Sequence, residues 1–126
     1  MSVSIYYSAN RKQKLTTVEQ EAIDKLILEY SVDKEIEKYH NTGEGYDWEG
    51  FTVYNQENLM EDDEIFAGST RLPANRDDAL WEGFQHWNAL LSQIRSVILD
   101  AEWHVNVDDH MLVWDEEYLE YVLPEK

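Results

Sequence analysis

The chain has no cysteine, 2 prolines and 5 glycines, and its 10 Lys and Arg stand against 27 Asp and Glu. Each scarcity excludes something. Without cysteine there is no disulfide framework and no thiolate to act as nucleophile or metal ligand. No stretch approaches the ~20 apolar residues of a membrane-spanning helix. The opening Met1-Ser2-Val3-Ser4-Ile5 also lacks the basic region and apolar run of a secretory signal, so the expected location is the cytoplasm. The shortage of cations carries the strongest exclusion. Every phosphate contact needs one, and an anionic lipid surface makes the same demand, so direct binding to nucleic acid or membrane is not expected.

What is present is a folding sequence. The 126 residues are 43% hydrophobic and 13% aromatic, with 5 Trp and 8 Tyr. That is too much apolar surface to leave in water in spite of the net charge of -17. A single domain over residues 1–126 is expected. The charge is concentrated: residues 1–40 hold 6 Lys and Arg against 7 acids, while residues 41–126 hold 4 against 20. Its peaks are Glu61-Asp62-Asp63-Glu64, Asp77-Asp78, Asp108-Asp109 and Asp115-Glu116-Glu117.

Periodicity supplies the elements. Val3, Ile5, Tyr7 and Ala9 alternate with polar positions, the mark of a strand with one buried face. Thr16 or Thr17 followed by Glu19 or Gln20 forms a capping box, opening a helix whose Ala22, Ile23, Leu26, Ile27 and Tyr30 share one face. Residues 34–39 suit a short helix or a strand. Strands over 50–54 and 64–72 form an antiparallel pair that Pro73 ends, because proline has no N–H for a ladder. Asn75 or Asp77 then caps a long helix. On a wheel of ~100° per residue its Leu80, Phe84, Trp87, Leu91, Ile94 and Ile98 fall within about 80° of one another.

A second hairpin follows over residues 103–114. With Asp108 and Asp109 at its turn, Trp103 faces Trp114, Val105 faces Leu112 and Val107 faces His110. A short final strand over 118–123 is preferred to a helical turn. These elements predict an α+β fold, a two-layer sandwich in which a mostly antiparallel sheet is covered on one face by two helices, about 16–31 and 76–100, in the order β-α-ββ-α-ββ.

The candidate chemistry is thin. His104, Asp108, Asp109 and His110 could meet at one hairpin end as a metal or acid–base site, but His104 and His110 are expected on opposite faces, and zinc needs three or four converging ligands. The run 61–64 lacks the spaced oxygens and central glycine of a calcium loop. No Gly-x-Ser-x-Gly, phosphate-cradling loop or His-Glu-x-x-His occurs. No cofactor, metal or catalytic residue is expected, and the protein is not expected to be an enzyme.

Two readings of function follow. The first is a protein-binding module that meets a basic partner by electrostatic complementarity. In size and charge alone it is similar to bacterial proteins that neutralise nuclease toxins, as immunity proteins do, or that mimic the charge of nucleic acid. Its expected partner-binding residues are Asp108, Asp109, Asp115, Glu116, Glu117, Tyr118 and Trp48. The nearly uncharged arc Gln85, His86, Ala89, Ser92, Gln93 and Ser96 on the long helix is the expected self-association surface, which would make a homodimer. The second reading is a small hydrolase or metal-dependent enzyme using the His104–Glu117 region.

Overall fold

Central to the sheet is the alternating segment Ser4–Asn10, strand β1, which is paired antiparallel on both edges in the computed structural model. The structure describes residues 3–54, 63–98, 100–108, 110–115, 117 and 120–122. Along the chain follow helices α1 (Thr17–Glu29) and α2 (Asp33–Thr42), strands β2 (Thr52–Val53) and β3 (Glu64–Arg71), and helix α3 (Ala79–Val97). Strands β4 (Glu102–Val107), β5 (His110–Met111), β6 (Val113–Asp115) and β7 (Glu120–Val122) complete the order. Five strands form an antiparallel sheet in the order β2-β3-β1-β4-β5, and β6 and β7 form a separate pair. The α+β class and the antiparallel sheet are therefore as the alternation and periodicity predict.

Register puts the apolar residues of neighbouring strands on one face. Ile5 lies between Thr70 and Val107, Tyr7 between Gly68 and Val105, and Ala9 between Phe66 and Trp103. An irregularity at Ala9/Asn10 adds one residue to β3, and Ile65 and Phe66 are both buried beside it. These side chains form one core with Ile23 of α1 and with Trp87, Leu90, Leu91 and Ile94 of α3. The opposite face carries the row Thr52, Ser69, Tyr6, Asn106 and Met111 from edge to edge. No member of that row is charged.

Two glycines are required by close approach. A Cβ at Gly68 would collide with the Thr52 carbonyl and stand 2.5 Å from the Tyr7 ring. Its absence lets Tyr7 lie over β3, donate its hydroxyl hydrogen to the Thr52 carbonyl and stack on Phe51 at 4.5 Å. Burial pushes the Tyr7 phenol above its ordinary pKa. At Gly83 a Cβ would run into the Pro73 ring, so the proline that ends β3 also seats the first turns of α3.

The start of α1 follows its local code. The Thr16 hydroxyl accepts from Glu19 N–H at 3.1 Å, and the Glu19 carboxylate accepts from Thr16 N–H at 2.9 Å. The same carboxylate takes two guanidinium hydrogen bonds from Arg11, at 2.8 and 3.0 Å. These bonds hold Glu19 down to a pKa of about 2.

Several expectations are corrected. Residues 33–42 are helical, which adds an element to the expected order; Gly43 ends α2 in the left-handed region at φ 72. Neither Asn75 nor Asp77 caps α3. Asp78 holds the cap position without a side-chain bond, and Asn75 instead joins Asp47 N–H and the Gly45 carbonyl.

The second hairpin keeps its predicted register near the turn, where Val107 faces His110 and Leu112 N–H reaches the Val105 carbonyl at 2.7 Å. Positive φ at Asp108 (51) turns the chain there. Trp114 does not face Trp103, however. It pairs with Tyr121 in β6–β7, an extra two-stranded unit laid against α3. There Asn88 Nδ2 donates to the Tyr121 carbonyl at 2.7 Å and Tyr121 N–H donates to Asn88 Oδ1 at 3.1 Å. Arg95 stands 4.3 Å over the Trp114 ring and donates to the Tyr121 hydroxyl at 2.9 Å. Those contacts, which no strand pattern encodes, divert Trp114 from the first sheet.

Candidate functional site

Among the expected partner-binding residues, Asp109, Glu116 and Tyr118 lie outside the described residues. Asp108 is exposed at the end of β4, where its carboxylate accepts from Ser4 N–H at 3.0 Å. Asp115 accepts from Glu117 N–H at 2.9 Å in the turn after β6. Trp48 belongs elsewhere: it is half-buried, packed edge-on against Trp87 at 5.9 Å and His86 at 5.2 Å. An aromatic among acids looked like a contact residue, but α3 supplies two rings to cover it.

The self-association arc is narrower than the wheel suggests. Gln85, Ala89, Gln93 and Ser96 are exposed. His86 is not on the solvent face; its Nε2 lies 2.7 Å from the Tyr30 carbonyl and its ring meets Trp87 at 4.6 Å, joining the end of α1 to α3. Ser92 is half-buried and donates to the Asn88 carbonyl at 2.8 Å.

The two histidines of the His104–Glu117 region do not converge. His104 faces Ser8 on the open side of the sheet, 3.7 Å from Glu102, while His110 pairs with Val107 on the other side. Among the described residues no group of three or more His, Cys, Asp or Glu is placed to hold a metal ion. No helix among them is long and apolar enough to cross a membrane.

Cations of the chain are partly consumed by its own folding. Arg11 closes on Glu19. Arg71 lies 3.1 Å from the Asp47 carboxylate, donates to the Asp47 carbonyl at 2.9 Å and stands 3.6 Å from Glu49. Asp47 also accepts from Ala74 N–H at 2.8 Å, which ties the segment before β2 to the one after β3. Burial works to raise the Asp47 pKa, but the Ala74 N–H and the Arg71 guanidinium together hold it below its ordinary value. Arg95 is spent on Trp114 and Tyr121. The exposed acids Asp77, Asp78, Glu82, Asp100, Glu102 and Asp108 make no such clamp with an arginine among the described residues.

No family model, curated protein or solved structure matches the chain.

The wheel missed one feature. Trp81 lies about 100° round α3 from the apolar stripe, in heptad register with Asn88 and Arg95. The β6–β7 pair covers that flank at Asn88 and Arg95. Among the described residues nothing equivalent covers Trp81, which is 57% exposed, and Leu80 beside it is 39% exposed. Together with Leu72, Asp77, Phe84 and Val107 they line a groove of about 280 Å³. The signal was readable in part, since a tryptophan off the stripe and next to Asp77-Asp78 has no place in the predicted core.

Proposed function

We propose that this chain is a protein-binding module without catalytic activity, an immunity- or inhibitor-type protein of bacterial kind that acts in the cytoplasm by holding a basic partner against its acidic surface. On this reading the helices form one layer over the buried face of the sheet, and recognition uses surfaces left outside that core. The observation that carries the proposal is where the cations go. Residues 41–126 contain 4 Lys and Arg against 20 acids, and of those four Arg71 is clamped by Asp47 and Glu49 while Arg95 lies over Trp114. The field of the remaining acids is therefore little compensated, a condition that steers a basic protein into fast, salt-sensitive association. The described residues do not favour the hydrolase or metal reading, because His104 and His110 stand on opposite sides of the sheet.

The test is a capture of partners from the source cell over a sodium chloride series. Basic proteins retained at low salt should be released well before ~1 M, where the screening length falls to about 3 Å. Retention independent of salt would refute the electrostatic reading.

A further inference from the structure

The α3 flank that carries Trp81 ends in a groove walled by Leu72, Leu80, Trp81, Phe84 and Val107, with a volume of about 280 Å³. That is below the ~300–1,000 Å³ of pockets that take whole small molecules, and it suits one or two apolar side chains. Among the described residues Asp77 is the one charged group on its lining, so the walls select for hydrocarbon. The Trp81 ring is held in place by stacking on Phe84, with centroids 5.9 Å apart. Covering the exposed parts of Trp81 and Leu80 would take apolar surface out of water.

The path of the chain leads towards this groove. Strand β4 starts close after the end of α3 and runs to the groove wall Val107, beside the first turns of that helix. Strand β5 is antiparallel to β4, and the chain keeps that opposite heading through Leu112, whose N–H meets the Val105 carbonyl, and on into β6. Strand β7 is antiparallel to β6, so from Glu120 to Val122 it heads as β4 does, towards the start of α3. The next residues are Leu123 and Pro124, both apolar.

The reach matches. Tyr121 is fixed on the helix flank by its two backbone bonds to Asn88. Trp81 lies seven residues, or ~10.5 Å, before Asn88 along the same flank, and three strand residues beyond Tyr121 span ~10 Å. Alternation places Leu123 on the face of Tyr121, the face that meets Arg95 of α3. Pro124 has no N–H to offer a ladder, so strand pairing with β6 ends where the groove begins.

We infer that Leu123 and Pro124 are a strap that closes this groove from within the same chain, carrying the cover that β6–β7 gives to Asn88 and Arg95 onward to Trp81. The strap draws on apolar fit and chain direction and is independent of the reading of the protein as a binder of basic partners. While it is closed, Trp81 is withheld from any partner.

The test is nuclear magnetic resonance on the full chain, with Leu123 methyl-labelled. A cross-relaxation contact between the Leu123 methyls and the Trp81 indole is expected, with no contribution from a mixture of labelled and unlabelled copies. Urea unfolding gives a second readout. Leu123→Ser should raise the unfolding equilibrium constant about fivefold in the parent and less than about twofold in a Trp81→Ala background, because residues in contact do not add. Trp81→Ala should itself stay folded, since the side chain is more than half exposed. A contact seen only between labelled and unlabelled copies would overturn the strap and assign the groove to a second copy's tail. Absence of the contact, with equal effects of Leu123→Ser in both backgrounds, would overturn it outright.

Discussion

Replacing Asn88 by alanine tests how the β6–β7 pair is held. Asn88 is 7% exposed and Tyr121 3%, and the side-chain amide meets both polar groups of the Tyr121 backbone, at 2.7 and 3.1 Å. In effect it acts as one residue of a neighbouring strand. An ordinary hydrogen bond contributes ~0.5–1.5 kcal/mol net, but a buried group left without a partner costs ~1–3 kcal/mol. Alanine orphans two such groups where water has little access, so the ceiling is about 6 kcal/mol if nothing moves. The pair can, however, lift away and hydrate the Tyr121 backbone, giving up the Arg95–Trp114 and Arg95–Tyr121 contacts. The cheaper of these responses sets the cost. A loss of about 3 kcal/mol is expected, which for a domain of this size lowers the unfolding midpoint by about 10 °C.

Urea unfolding measures the total, and amide exchange at Tyr121 distinguishes the two responses. Lifting shows as lost protection at Tyr121 while the β1 amides stay protected; staying in place shows as the full global destabilisation. A change below ~1 kcal/mol with unaltered Tyr121 protection would refute the claim that Asn88 carries the docking.

Trp87 is fully buried and meets Trp48, Phe51 and His86, so Trp87→Ala should cost ~3–5 kcal/mol in chemical denaturation; a variant as stable as the parent would remove this ring from the centre of the core. Gly68→Ala forces a methyl into the Thr52 carbonyl and the Tyr7 ring and should cost about 2–3 kcal/mol, with the Tyr7–Phe51 stacking contribution lost from the near-ultraviolet circular dichroism. Glu19 has its folded pKa held at about 2, below an ordinary value near 4.5, so its stabilisation is fully present above pH ~4.5 and is lost as pH falls towards 2. After allowance for solvent at the helix edge this amounts to about 1 kcal/mol, and the difference in stability between the parent and Glu19→Gln should shrink from pH 5 to pH 2.

Much of the fold was legible because its rules are local. The Thr16–Glu19 box needs partners three residues apart, β1 needs only its alternation, and Pro73 stops β3 by lacking an N–H. The stripe on α3 found Trp87, Leu91 and Ile94 for the same reason. The asymmetry of charge was likewise readable, since it depends on counting and not on geometry.

The flanks of α3 were not legible, and the candidate site lies there. A wheel ranks Trp81, Asn88 and Arg95 alike as off-stripe positions. Their fates diverge because β6–β7, a segment reached only after another strand pair, lands on Asn88 and Arg95 and leaves Trp81 exposed. On the other flank His86 was drawn inward by Tyr30 and Trp48. Secondary structure follows from contacts within a few residues, whereas which helix flank meets solvent depends on chain segments far away in sequence, and so only the tertiary structure could separate a buried asparagine from an exposed tryptophan.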